Sequence, residues 1–412
     1  MPDSATLSRA AHLVALITPR ETADAVLRRE LTPRRDLDPH RRREIARAVS
    51  VYFRWRGWLD PAEPPQRRVA AALALQARFD ADPAAIKDAA LAARAVPAWI
   101  WDEIDLPAAA GRGPWLRQLQ RDPPLWIRVR RAFAASLPSR LGDCTPVQGP
   151  GFGVQGPGQP TPNPERQTPN PTAWRYTGDR DLFLTDDFRA GRFEIQDLAS
   201  QLVGLACAPC PGETWWDACA GEGGKTLHLA DLMENKGLIW ASDRSVRRLE
   251  KLRQRAARAQ VFNTRATTWD GGPRPPTRTR FDGVLVDAPC TGVGTWQRHP
   301  QARWTVSAGD VRELAALQRG LLDHAAASLK PGGRLVYSVC TLTRAETAAI
   351  AAAFSAAHPG FEPAPVFSSS SAQAPANQAS LPPDGCSLGS ETLWPQDLNA
   401  NGMFIAAWRK RR

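Results

Sequence analysis

At 412 residues the chain exceeds what one ordinary hydrophobic core organises, so two or three domains are expected. Its 53 Lys and Arg outnumber 42 Asp and Glu, a net +11 that favours a polyanionic partner such as RNA, DNA or an anionic membrane. No apolar run approaches the ~20 residues of a spanning helix, the start Met1-Pro2-Asp3-Ser4 lacks a signal-peptide core, and seven cysteines make no disulfide framework; a cytoplasmic chain with free thiols and no membrane association is expected.

Residues 1 to 120 read as helical and basic. The stretches Leu7–Val14 and Glu44–Phe53 each carry an apolar stripe with Arg on the other face. Arg34-Arg35 and Arg41-Arg42-Arg43 are candidate nucleic-acid contacts, although a charge run alone is more often a solvated helix face. Tyr52, Phe53, Trp55 and Trp58 are read as core rather than as a base-stacking platform. Pro123-Pro124 marks a boundary, and Leu125 to Arg130 reads as a strand opening a small α+β region, 121–190. Within it, residues 146–172 are rich in Pro, Gly, Gln and Asn, with the near-repeat Thr161-Pro162-Asn163-Pro164 and Thr168-Pro169-Asn170-Pro171, and predict a loop.

From Gly191 onward the pattern is α/β. Glu213–Asp217 is a first strand, the turn Ala218–Lys225 follows, and a helix is predicted from Thr226 to about Glu234. Gly237–Ala241 is a second strand running into Ser242-Asp243. A basic helix comes next, with Val246, Leu249 and Leu252 inward and Arg247, Arg248, Lys251 and Arg255 outward. A third strand reaches Trp269-Asp270, and Gly271 to Thr279 is a loop. Phe281–Asp287 and Gly333–Val339 are short apolar runs, each ending at a cysteine, Cys290 and Cys340. The helix between them is expected over Val311–Leu329, closed by Lys330-Pro331-Gly332-Gly333. Strand–helix–strand makes those two strands parallel neighbours, so Asp287, Cys290 and Cys340 face one crevice at the carboxyl ends of a doubly wound sheet. A helix over Ala345–Ala357, a loop-like stretch from Pro359 to Gly389, and a closing strand Met403–Trp408 before the basic tail Arg409–Arg412 complete the chain.

The turn with Gly221, Gly223 and Gly224 suggests a nucleotide-type ligand, because glycine lets backbone approach it at a helix N-terminus. A P-loop fails, since position 219 is Cys; a dinucleotide fingerprint fails at Thr226, where Gly or Ala belongs. A site for S-adenosylmethionine, which has no pyrophosphate, tolerates this spacing, and Asp243 at the second strand's end can hold ribose hydroxyls. A thiolate beside a carboxylate can attack an electron-poor carbon. C6 of a pyrimidine is one; the addition makes C5 nucleophilic towards a sulfonium methyl, and a second base must then remove the C5 proton. Cys144, Cys207, Cys210, Cys219 and Cys386 are read as inert; Cys207-Ala208-Pro209-Cys210 lacks a second pair, so no metal is expected.

Four motifs carry a resemblance: Gly191–Asp197, Asp217–Lys225, Asp287–Thr295 with Arg298-His299-Pro300, and Leu329–Gly333 through Cys340-Thr341-Leu342. Together they resemble the NOL/NOP/Sun family over residues 124–412, and most closely its bacterial RsmB (Fmu/Sun) type. The segment ending Tyr52–Leu59 more weakly resembles the NusB-like RNA-binding domain of that type. The resemblance implies a class I, Rossmann-like methyltransferase domain over 191–412 after the α+β region and an all-α domain over 1–120. It implies S-adenosylmethionine-dependent methylation of C5 of cytosine in RNA, with 16S ribosomal RNA the expected partner and a monomer the expected state. Position by position, the cofactor turn falls on Cys219, Ala220, Gly221, Glu222, Gly223, Gly224 and Lys225, the ribose carboxylate on Asp243 and the adenine-side carboxylate on Asp270. Asp287 falls beside the methyl donor and target base. Cys340 takes the nucleophile's place, and Cys290 that of the cysteine assisting release. Gly221-Glu222 stands where the family has Ala-Pro, and Thr347 where it has Asn.

Rival readings are methylation of another RNA such as tRNA, a DNA cytosine-C5 methyltransferase, whose nucleophile would be the Pro-Cys cysteine, and a non-catalytic RNA-binding assembly factor. The second cysteine disfavours the DNA enzyme, and the intact catalytic positions disfavour the inactive factor.

Overall fold

The computed structural model describes residues 2–19, 21–32, 37–107, 111–147, 172–367 and 389–412. Arg34-Arg35, nearly all of the Pro/Gly-rich stretch with its near-repeat, and Cys386 lie outside the described residues. Two compact units result: Met1–Pro123 with Thr291–Val311 and Thr341–Arg344, and the remainder from Pro124 to Arg412.

The first unit is helical. Its central helix, Pro39–Trp55, starts where the Asp38 side chain accepts from Arg41 N–H at 2.9 Å, with proline at the first position. Ile45, Ala48, Val49, Tyr52, Phe53 and Trp55 on its inner face are buried, so most of the aromatic cluster is core. Arg41 reaches Asp3 at 2.8 Å, leaving less of this run for solvent than its sequence suggests. Residues 291–311 cluster with this unit, a detour of which the sequence carries no sign. Trp296 is buried against Trp115 and Trp99. Arg303, fully buried, donates to the carbonyls of Ala95, Leu119 and Trp296.

The second unit holds two sheets. A four-stranded antiparallel sheet, in the order β2-β3-β1-β4, comprises β1 (Leu125–Val129), β2 (Cys144–Pro146), β3 (Ala173–Tyr176) and β4 (Phe193–Ile195). The larger sheet has β5 (Thr214–Asp217), β6 (Leu238–Asp243), β7 (Thr264–Thr268), β8 (Phe281–Asp287), β9 (Leu329–Val339), β10 (Phe361–Pro363), β11 (Ser390–Leu393) and β12 (Met403–Lys410). Its order is β10-β12-β9-β8-β5-β6-β7, with β11 also pairing β12. Strands β7, β6, β5, β8 and β9 run parallel, and β12 is antiparallel to β9. The order reverses at β5, the topological switch point of a doubly wound α/β fold. Both faces are covered, and β5 and β8 are buried almost throughout, as continuous apolar strands require.

Four features differ from expectation. The helix before β9 is Ala308–Ala326, because Lys330-Pro331-Gly332-Gly333 belongs to β9, where a register shift opposite Phe281 to Gly283 absorbs the glycines. Val246 is 55% exposed, since it opens its helix outside the packed face that Leu249 and Leu252 form. Arg255 bends back to the buried Glu194, at 2.8 Å, instead of facing water. Within the stretch from Pro359 to Gly389, Phe361–Pro363 forms β10; residues 368–388 lie outside the described residues.

Candidate active site

The carboxyl ends of β5, β6, β8 and β9 bring the sequence-predicted residues of this unit together. After β5 the chain turns through Ala218–Gly223 into the helix Gly224–Leu232. Gly223 sits at φ +87°, and a Cβ there would meet Leu252 Cγ at 2.7 Å, so only glycine fits this corner. Gly221 is also left-handed, at φ +54°, and neither it nor Gly224 has atoms within 4 Å of an added Cβ, which leaves open space along the turn.

Asp243 ends β6 and is already oriented: one oxygen accepts from Gly221 N–H at 3.1 Å, the other from Ser245 N–H at 2.8 Å. Asp270 lies just past β7, next to Trp269, whose N–H donates to the Asp243 carbonyl at 3.3 Å. It is exposed and accepts from Gly272 N–H at 2.8 Å. Glu222 turns outward to Lys251, 2.5 Å away, so its carboxylate is engaged by the basic helix.

Asp217, which the sequence offered only as part of a motif, is the residue missed here. It is fully buried, accepts from Thr226 Oγ1 at 2.6 Å, and its other oxygen has no protein partner. Burial, only partly opposed by the Thr226 hydrogen bond, pushes its carboxyl up to about 7. An unpartnered buried acceptor, an open glycine turn and an oriented carboxylate on the next strand suit a ligand with hydroxyl and amine donors; these residues fit a nucleoside bearing an amino acid.

The reactive groups lie at β8 and β9, where Asp287 and Ser338 are register partners. Ser338 Oγ donates to one Asp287 oxygen at 2.7 Å and Lys225 Nζ to the other at 2.7 Å. Burial works against the Lys225 charge, yet Asp287 outweighs it and holds the ammonium above the ordinary lysine value. Beyond them the Cys290 and Cys340 sulfurs are 3.4 Å apart, both partly exposed. The Cys290 hydrogen bond is the largest influence on Cys340; with the nearby Lys225 charge it outweighs burial and Asp287 and lowers the Cys340 thiol below its ordinary value. Burial raises Cys207 and Cys219, and also Cys144 and Cys210, so among the described cysteines with resolved shifts Cys340 alone is activated.

The model of the family described as 16S rRNA methyltransferase RsmB/F matches residues 204–409. A probable ribosomal RNA small subunit methyltransferase B of Bacillus subtilis is 39% identical over 181 residues, 43% of this chain and 40% of that protein. One from Synechocystis is 36% identical over 228 residues, 54% of this chain and 49% of that protein. A tRNA (cytosine(72)-C(5))-methyltransferase of Mus musculus is 39% identical over 166 residues, 37% of this chain and 34% of that protein. The matches thus span half or less of these relatives' lengths. Among solved structures, PH0851 superposes over the whole of both chains with TM-score 0.74 at 22% identity, a likeness of fold. A methyltransferase homologue from Pyrococcus horikoshii gives TM-score 0.57 at 26% identity, over 73% of this chain and 90% of that one. With half of its length matched by the family model, and with the glycine turn, the strand-end carboxylates and the paired thiols in place, the chain belongs to the 16S rRNA methyltransferase RsmB/F family.

Proposed function

We propose that the protein is an S-adenosylmethionine-dependent RNA cytosine-C5 methyltransferase acting on 16S ribosomal RNA. The observation that carries this is the thiol pair, 3.4 Å apart at adjacent strand ends, one thiol activated, beside Asp287 and Lys225. The turn Cys219–Lys225 with Asp243 and Asp270 would hold S-adenosylmethionine, which supplies an electrophilic methyl group. Cys340, as the thiolate, adds to C6 and sends the C5=C6 pair towards C5, while Asp287, fixed by Lys225 and Ser338, orients the base. Cys290 serves the loss of the C5 proton and the release of Cys340. Three parts divide the labour: a helical RNA-binding domain over 1–120, a small α+β RNA-binding region over 121–190 and the catalytic domain over 191–412. Action in the cytoplasm as a monomer completes the proposal. Tritiated methyl transfer to unmodified 16S ribosomal RNA, tRNA and DNA, followed by mapping, tests it; incorporation into tRNA alone would move the substrate, and none into any would sink the activity.

Asp243→Ala should weaken S-adenosylmethionine binding by about 1.5–3 kcal/mol, roughly tenfold or more, because a charged acceptor of the ribose hydroxyls is lost. Calorimetry giving an unchanged affinity would remove Asp243 from the site.

The net charge of +11 implies phosphate contacts, so RNA affinity should fall linearly on a plot of log affinity against log salt. A flat plot would exclude them. The full chain is the right material, since truncation at residue 120 would strip Trp296 and Arg303 of the Trp115, Ala95 and Leu119 groups they pack on.

A further inference from the structure

Beneath Cys290 lies a buried polar network that the chemistry above does not use. The Gln318 amide, on the helix Ala308–Ala326, donates to the Pro289 carbonyl at 2.9 Å and to Glu346 Oε1 at 2.9 Å. The Tyr337 hydroxyl, on β9, lies 3.0 Å from Gln318 Oε1 and 2.7 Å from the Glu346 carbonyl. All three side chains are fully buried. Such a chain is costly unless satisfied, and it reaches the carbonyl of the residue before Cys290. Pro289 has no N–H of its own to fix this loop, so its carbonyl, held by the Gln318 amide, is the backbone group through which the network holds the residue before Cys290.

We infer that Gln318, held by Glu346 and Tyr337, is a positioning residue that sets Cys290 for the release step, an inference that rests on the proposed cytosine-C5 chemistry. In that step the C5–H bond breaks and its electron pair forms the C5=C6 double bond. The C6–Sγ bond to Cys340 breaks, and its pair returns to sulfur as the thiolate. Cys290, whose own proton passes to solvent once Cys340 has been consumed as a thiolate, accepts the proton from C5. Release therefore needs the Cys290 sulfur within reach of C5, whereas the attack is made by Cys340, which follows a strand paired on both sides, and Cys290 only eases its ionisation.

Gln318→Met keeps the side chain's length and removes the amide. With in vitro transcribed 16S ribosomal RNA and S-adenosylmethionine, it should lower kcat about 10- to 100-fold, as small misplacements of a reacting group do, and lower KM with it, because a slow step after methyl transfer lets the adduct accumulate. A covalent protein–RNA band should accumulate on a denaturing gel. Tyr337→Phe, which removes only a hydroxyl, should give a weaker band of the same kind and decides the matter if Gln318→Met does not fold. Cys290→Ala runs beside them. A trapped band with Cys290→Ala but none with Gln318→Met or Tyr337→Phe overturns the positioning role and leaves the chemistry standing. No band with Cys290→Ala overturns the release role of Cys290 and this inference with it. Loss of turnover in Gln318→Met without a band would mean that attack and release fail together, which a role confined to Cys290 forbids.

Discussion

Cys340→Ser should abolish turnover and every covalent protein–RNA species together, because a hydroxyl is a far poorer nucleophile than a thiolate at neutral pH. Cys290→Ala should do something different: attack and methylate, then fail to let go, so that a slow-migrating adduct builds up with cofactor present. The geometry adds a pH signature. The hydrogen bond from Cys290 is the main influence lowering the Cys340 thiol, so its loss moves that ionisation upward. Because the thiolate is the reactive form, adduct formation rises with pH through this ionisation. In Cys290→Ala the rising limb should therefore sit at higher pH than in the wild type, read from single-turnover adduct formation. The opposite assignment predicts a band with Cys340→Ala and none with Cys290→Ala; that reversed pattern would falsify the division of labour while leaving cytosine-C5 methylation intact.

Arg303→Met should strongly destabilise the helical unit. The guanidinium is fully buried, donates to three backbone carbonyls, and forms no ion pair with a carboxylate among the described residues. Methionine fills most of the volume but leaves those carbonyls without a donor, at about 1–3 kcal/mol each before relaxation. A net loss of about 3 kcal/mol corresponds to a fall in Tm of about 6–12 °C for a unit of this size. Calorimetry on the full chain reads it, and an unshifted transition would mean that relaxation or water satisfies the carbonyls. Activity should fall as well, since the segment that Arg303 pins begins with the residue covalently joined to Cys290.

The parallel core was legible because its strands are short apolar runs between glycine-rich turns, each ending at a polar residue. Asp243, Asp287, Cys290 and Cys340 could be placed on one edge from connectivity alone. What could not be read depends on distant partners. Lys330–Gly333 looks like a helix stop, and only pairing with β8 makes it strand. Gln318 and Tyr337 are ordinary residues of a helix and a strand until Glu346 and Pro289 come within 3 Å. Asp217 is one carboxylate among several; its burial and its orphan oxygen are properties of the packed sheet. The signal that could have found it is position, for it is the first polar group after two buried tryptophans, at the switch point.

The strand that leads to Cys340 has one neighbour made before it and one made well after it. β8 precedes β9 in the chain, whereas β12, which pairs with it from Phe404↔Val339 to Arg409↔Arg334, follows about 60 residues later, so a long loop must close first. During synthesis, β9 thus has a bare edge, competent to pair with the wrong partner, until β12 docks. A chain still being synthesised therefore holds Cys340 beside an unfinished sheet edge until β12 has been made and paired.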